Sequence, residues 1–115
     1  MSKLDNEKAV EVTATFLRKR GYDVLDVMAG NEAVKIVAHD NESDDTVFVS
    51  VQMREGTSAK EPARPERAEY EAEACEWLAD HESLDSCRFD AVMLTVVGGQ
   101  NALLRHHVNC LLGAL

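Results

Sequence analysis

The sequence predicts a mixed α/β domain in which one central sheet is flanked by two helices. Two segments have the apolar spacing of an amphipathic helix, and five have the β-branched or alternating character of strands. They follow one another in the order α-β-β-β-α-β-β, and helices mixed with strands in this way pack on the faces of a sheet. With 115 residues, the chain has the length of one domain, which we place at 1–115.

The first helix is predicted from Asp5 to Arg20. Gly21 follows a basic last turn, and both features are typical of a helix carboxyl end. The residues of its apolar stripe are Ala9, Val10, Thr13, Phe16 and Leu17.

Three strands follow this helix, and the second and third surround a polar turn at Asp40–Asp45. Their predicted bounds are Tyr22–Met28, Ala33–His39 and Thr46–Met53. Because side chains alternate along a strand, the valines of the third strand share one face. The other face of the pair gathers Lys35, Ser50 and Gln52.

The second half of the chain continues with a helix from Pro65 to about His81 and strands at Arg88–Val97 and Ala102–His106. The first of these strands is apolar on both faces, which favours a place inside the sheet. The helix is predicted to bury Ala68, Ala72, Cys75, Leu78 and Ala79. Its outer surface is predicted to be acidic, from Glu66, Glu69, Glu71, Glu73, Glu76 and Asp80.

The charge balance is the most informative total. Asp and Glu number 21 against 12 Lys and Arg, so the formal net charge is −9. A strongly acidic chain repels nucleic acid at long range, although a local basic patch remains compatible with binding. No apolar run is long enough to span a membrane, and the amino terminus lacks a signal-peptide core, so we expect a cytoplasmic protein. The three cysteines form no CxxC pair and predict no metal site.

Several short strings follow one another along nearly the whole chain: Ala14 with Phe16 and Leu17, Gly21 to Leu25, Ile36 to Ala38, Val47 to Val49 with Val51 and Arg54, Arg88 to Val92, and His106 with Asn109. Together they resemble the YraN-like family of small bacterial proteins. The resemblance implies a restriction-endonuclease-like fold, α-β-β-β-α-β(-β). Nucleases of this fold hold a divalent metal with an acidic residue on one strand and an E-x-K triplet on the next.

The residues at those family positions here cannot supply this chemistry. The acidic position falls on Lys35, and the triplet's glutamate and lysine fall on Ser50 and Gln52. Two further family glutamates fall on Ala33 and Val10. Carboxylates are the ligands that Mg²⁺ prefers, and this set contains none. We therefore expect no metal cofactor and no metal-dependent cleavage.

An alternative is that the carboxylates have moved. Glu32 is next to the Ala33 position, and Asp40 lies at the end of the same strand. An enzyme that uses these relocated ligands would still bind Mg²⁺ and cut nucleic acid. Glu32 would need a β-bulge to reach the required face.

The sequence thus favours a degenerate nuclease-fold protein that acts as a nucleic-acid-binding or protein-interaction module. The candidate nucleic-acid contacts are Lys35, Gln52, Arg54, Arg64 and Arg67. A purely homodimeric interaction module is the remaining alternative, because the tail from Leu111 to Leu115 is apolar.

Overall fold

The computed structural model describes residues 6–28, 33–55, 67–81, 86–97 and 101–108. Within these ranges it contains two helices and five strands in the predicted order. The elements are α1 (Asn6–Lys19), β1 (Tyr22–Val27), β2 (Ile36–Asp40), β3 (Asp45–Glu55), α2 (Arg67–His81), β4 (Ser86–Val97) and β5 (Asn101–His107). The predicted mixed α/β class with one central sheet is therefore confirmed. Outside the described residues lie the segment 56–66 between β3 and α2, Glu32, and the carboxyl-terminal tail.

The five strands form one mixed sheet in the order β1-β2-β3-β4-β5. β1 with β2, β2 with β3, and β4 with β5 are antiparallel, whereas β3 and β4 run parallel. A parallel pair needs a long crossover, and α2 lies between these two strands in the chain. β4 has a neighbour on each side, in agreement with its apolar sequence.

The first core lies between α1 and one face of the sheet. The predicted stripe of α1 is buried there, with Leu17 fully enclosed. Thr13 is tolerated in this core because its hydroxyl donates a 2.8 Å hydrogen bond to the Ala9 carbonyl, so no polar group is left unsatisfied. The sheet side of this core consists of Ile36, Ala38, Val47, Val49 and Val92.

The second core lies between α2 and the opposite face. Phe48 is fully buried there against the rings of Trp77 and Phe89. The buried residues of α2 are Tyr70, Ala74 and Trp77, so the predicted stripe was wrong. Of that stripe, Leu78 is half-buried and the others are exposed: Ala68, Ala72, Cys75 and Ala79. Two aromatic rings remove far more apolar area from water than a row of alanines, and they decide which face turns inward.

Glu73 was also predicted wrongly as part of the acidic outer surface of α2. Its carboxylate accepts hydrogen bonds from the Ala33 and Val34 amides, at 3.0 and 2.8 Å. These two amides are therefore engaged by a side chain instead of a strand partner, and β2 begins at Ile36 rather than at Ala33.

Neither α1 nor α2, the helices of the described ranges, has the length and apolar character that crossing a membrane would require.

Gly21 ends α1 with a φ of +91°, a backbone conformation that L side chains rarely adopt. Its amide donates to the Arg18 carbonyl at 3.1 Å, which closes the last turn and directs the chain into β1. A Cβ at this position would meet no atom within 4 Å, so the cost of a substitution is backbone strain alone.

We therefore predict that Gly21→Ala lowers the free energy of unfolding by about 1–2 kcal/mol because of the positive φ. Urea denaturation monitored by circular dichroism measures this loss. Gly21→Asn is the matched control and should lose less, because asparagine tolerates the left-handed region. Equal losses for the two variants would contradict the conformational explanation.

Candidate functional site

The three residues that the resemblance aligns with metal positions, Lys35, Ser50 and Gln52, lie together on the face that α2 partly covers. Ser50 and Gln52 alternate with the core valines of β3 and so share a face with Phe48. Lys35 continues the pairing of β2, because its amide donates to the Val49 carbonyl at 2.8 Å. Alternation then places Lys35 on the same face as Ser50 and Gln52.

Burial differs among these three positions. Ser50 is 2% exposed, whereas Lys35 and Gln52 are half-buried. The Ser50 hydroxyl has no hydrogen-bond partner within the described ranges. A buried hydroxyl without a partner costs free energy, so this position is less favourable for stability than an apolar residue of the same size would be.

The sheet register brings two further basic residues, Arg105 and His107, to this face. Gln52 is level with Met93 and Arg105, and Ser50 is level with Ala91 and His107. Both basic side chains are exposed on β5. Sequence reasoning missed them, because the register that brings them to this face is not visible in any local spacing. We call the set of Lys35, Ser50, Gln52, Arg105 and His107 the polar face.

No carboxylate shares this face on the three strands that carry most of it. The residues of β3, β4 and β5 that alternate onto it within the described chain are Thr46, Phe48, Ser50, Gln52, Cys87, Phe89, Ala91, Met93, Thr95, Leu103, Arg105 and His107. The charged side chains that the described residues of these three strands place on this face are therefore basic, although the whole chain carries −9.

The buried carboxylates of the sheet lie on the opposite face, around Arg88. This guanidinium, only 7% exposed, binds the Asp90 carboxylate through two nitrogens at 2.9 and 3.1 Å. It also donates to Asp40 at 2.9 Å and to the Tyr22 hydroxyl at 2.7 Å. Weaker donations reach Ser43 and Asp45. We call Arg88, Asp40, Asp90, Tyr22 and His106 the charge cluster.

His106 joins the charge cluster from β5. Its Nε2 lies 2.8 Å from Asp90, whose side chain is fully buried. The rings of Phe16 and Tyr22 pack edge-on against the imidazole, with centroids 6.0 and 5.9 Å away. The imidazole is thereby enclosed by α1 and β1, and its position is structural.

The charge cluster changes the proton affinity of its members. Burial alone would raise the pKa of Asp40, but hydrogen bonds from the Glu42 amide, Arg88 and Ser43 lower that pKa from 3.8 to about 2. Burial opposes the charge of Arg88 too, yet Asp90 and Asp40 together raise its pKa. Burial raises the pKa of Tyr22 despite the neighbouring guanidinium. Asp40 is thus held as the ionised partner of Arg88.

The structure separates the remaining sequence candidates. Asp40 lies on the other face of the sheet from Ser50 and Gln52, and Val10 is a core residue of α1. Ala33 is half-buried and bound through its amide to Glu73. Arg54 is the second-last residue of β3 and Arg67 is the first of α2, but their side chains are not among those described. Glu32 and Arg64 lie outside the described ranges.

Across those ranges, no group of three or more His, Cys, Asp and Glu side chains is arranged to hold a metal ion. The sequence matches no family model and none of the curated proteins.

The depressed pKa of Asp40 predicts a specific acid sensitivity. A carboxylate with a folded pKa below its unfolded value contributes stability that is fully present above about pH 4 and lost as pH falls towards 2. We therefore expect the free energy of unfolding to fall between about pH 4 and pH 2. This fall should be smaller in the Asp40→Asn variant than in the natural chain. Urea denaturation at a series of pH values measures it.

Asp23→Asn is the control, because it removes an exposed carboxylate of β1 that lies outside the charge cluster. It should keep the full acid-induced loss. An Asp40→Asn protein with an unchanged acid profile would show that the pairing with Arg88 does not govern this loss.

Proposed function

We propose that this protein is a catalytically degenerate member of the restriction-endonuclease-like fold, related to the YraN-like family, that binds nucleic acid without metal-dependent cleavage. The element order and the mixed sheet with parallel β3 and β4 support the fold assignment. The observation that carries the function is the register of β3, β4 and β5, which aligns Gln52 with Arg105 and Ser50 with His107 on a face where the described residues of these strands include no carboxylate.

The chemistry of the three family positions supports the loss of cleavage. Metal-dependent cutting of a phosphodiester needs hard oxygen ligands for the cation that activates water. A lysine, a serine and a glutamine at Lys35, Ser50 and Gln52 supply one positive charge and no carboxylate. An anionic phosphate is attracted to such a surface, whereas a divalent cation is not.

The distribution of acidic groups supports a weak, salt-sensitive interaction. Glu69, Glu71, Glu76 and Asp80 are exposed on α2, a different element from the strand β5 that carries Arg105 and His107. A net charge of −9 opposes the approach of nucleic acid, while the polar face provides a few local phosphate contacts. Binding through few contacts falls with salt, with a shallow slope set by the number of phosphates neutralised.

The first test is binding of the full chain to labelled single-stranded, duplex and branched DNA at low salt, followed by fluorescence anisotropy. We expect Arg105→Ala to weaken binding by about tenfold, since it removes one phosphate contact of about 1–2 kcal/mol. Arg18→Ala makes the same change of charge on the exposed side of α1 and should leave binding nearly unchanged.

Each outcome of this test bears on the proposal. Loss of affinity confined to Arg105→Ala supports binding at the polar face. Equal losses for both arginine variants would show a nonspecific charge effect instead. Absence of binding to every DNA at low salt would remove the nucleic-acid function.

A second test rebuilds the chemistry that the resemblance implies was lost. The triple variant Lys35→Asp, Ser50→Glu, Gln52→Lys places two carboxylates and a lysine at the three family positions. We expect it to be less stable than the natural chain without metal, because two anions are crowded together at partly buried positions. Mn²⁺ should raise its melting temperature, because an ion that binds only the folded state stabilises it.

The control variant carries Lys35→Asn, Ser50→Gln and Gln52→Lys. Its new amide side chains have the shapes of the two carboxylates in the first triple variant but carry no charge. Differential scanning fluorimetry with and without Mn²⁺ compares the two variants. A triple variant that melts at the same temperature with and without Mn²⁺ would contradict the placement of the family's metal positions on these residues.

A further inference from the structure

The two outermost strands of the described sheet are β1 and β5. The outer side of an edge strand presents a row of backbone N–H and C=O groups that can pair with another chain. Natural proteins protect such edges with bulges, charged side chains or prolines, so the two edges can be compared directly.

β1 is protected. Its register with β2 shifts between Val24 and Asp26, which marks an irregularity of the β-bulge type. Asp23 is exposed, and Asp26 binds the Trp77 indole nitrogen at 3.1 Å. A second strand laid along this edge would meet an irregular backbone and two carboxylates.

β5 has neither a register shift nor a proline, and Arg105 is its single lysine, arginine or carboxylate residue. Its seven residues pair with β4 without interruption from Asn101 to His107. The strand contains no proline, lysine or carboxylate. Leu103 is 60% exposed and Val108, which follows the strand, is 53% exposed. This edge is regular in backbone and has apolar side chains in water.

We propose that a second copy of this chain covers β5 by antiparallel pairing about a two-fold axis at Leu104. The two sheets then join into one, with an isologous interface of the kind most soluble dimers use. This register pairs the whole strand with itself, since residue 101 of one copy faces residue 107 of the other. It also places Arg105 of each copy opposite Leu103 of the other, so that no arginine faces an arginine.

The other edge pairings are less favourable. β1 against β1 would bring the carboxylates of Asp23 and Asp26 close to those of the second copy. β1 against β5 would attract opposite charges but requires the irregular strand to pair along its length. It is also a head-to-tail contact, which extends into a filament unless the rotation closes a ring. Only β5 against β5 is regular and closed.

This interface is independent of the proposed nucleic-acid function. Backbone pairing needs neither DNA nor Arg105, so the dimer can be present in a protein that binds no nucleic acid. The test therefore uses the protein without nucleic acid and changes Leu103, which lies on the same face as Arg105 but is not one of the proposed nucleic-acid contacts.

The experiment is sedimentation equilibrium of the full chain across the micromolar range. The natural protein should behave as a monomer–dimer system without larger species. Leu103→Lys places a positive charge opposite Arg105 of the other copy, whereas Leu103→Glu places a negative charge there. Because each dimer has two such pairs, we expect the dissociation constants of the two variants to differ by at least about tenfold, with Leu103→Glu tighter.

Leu25→Lys and Leu25→Glu are the matched controls on β1, where Leu25 is 50% exposed. Both should dimerise as the natural chain does, and circular dichroism confirms that all four variants are folded. A monomer at every concentration would overturn the proposal, as would filaments or an equal response to both charges at Leu103. Sensitivity to the Leu25 variants alone would assign the contact to β1 and overturn it as well.

Discussion

The buried guanidinium of Arg88 is the interaction on which the sheet depends. It binds Asp40 from β2, Asp90 on its own strand and Tyr22 from β1, and Asp90 in turn binds His106 from β5. With the weaker bond from Arg88 to Asp45 at the start of β3, all five strands are connected through this charge cluster. A buried ion pair is stable only when hydrogen bonds satisfy both charges. Removing one partner leaves an unpaired buried charge, which costs far more free energy than replacing both residues by apolar ones.

This dependence divides the sheet into two faces with different roles. On one face, α1 and the charge cluster use the available carboxylates to hold the strands in register, so those groups are occupied. On the other face, α2 covers the region around Phe48, and the strands beyond it present polar and basic side chains. The net charge of −9 does not reveal this difference, because it does not say on which face of the sheet each charge lies.

Sequence reasoning succeeded where one local pattern had no competitor. The stripe of α1, the glycine after it and the alternation of β3 each follow from spacing alone. In α2, a row of alanines competed with Tyr70 and Trp77, and only packing against Phe48 and Phe89 decides between them. The charge cluster was not predicted, because Arg88 meets Asp40 and Tyr22 across the sheet and no spacing in the chain reports that meeting. Arg105 and His107 were missed for a related reason, since their neighbours depend on the register of the parallel β3–β4 pair and of the antiparallel β4–β5 pair.

The parallel pairing of β3 with β4 has a consequence for the order in which the chain can fold. β1, β2 and β3 form an antiparallel meander of local contacts, which closes quickly, whereas β4 must wait for the α2 crossover to bring it back beside β3. Asp40 lies on β2, in the meander that forms first, whereas its partner Arg88 lies on β4, which pairs later. A nascent chain that has not yet completed β4 therefore carries that carboxylate in water, and the step that buries it is also the one that joins the two halves.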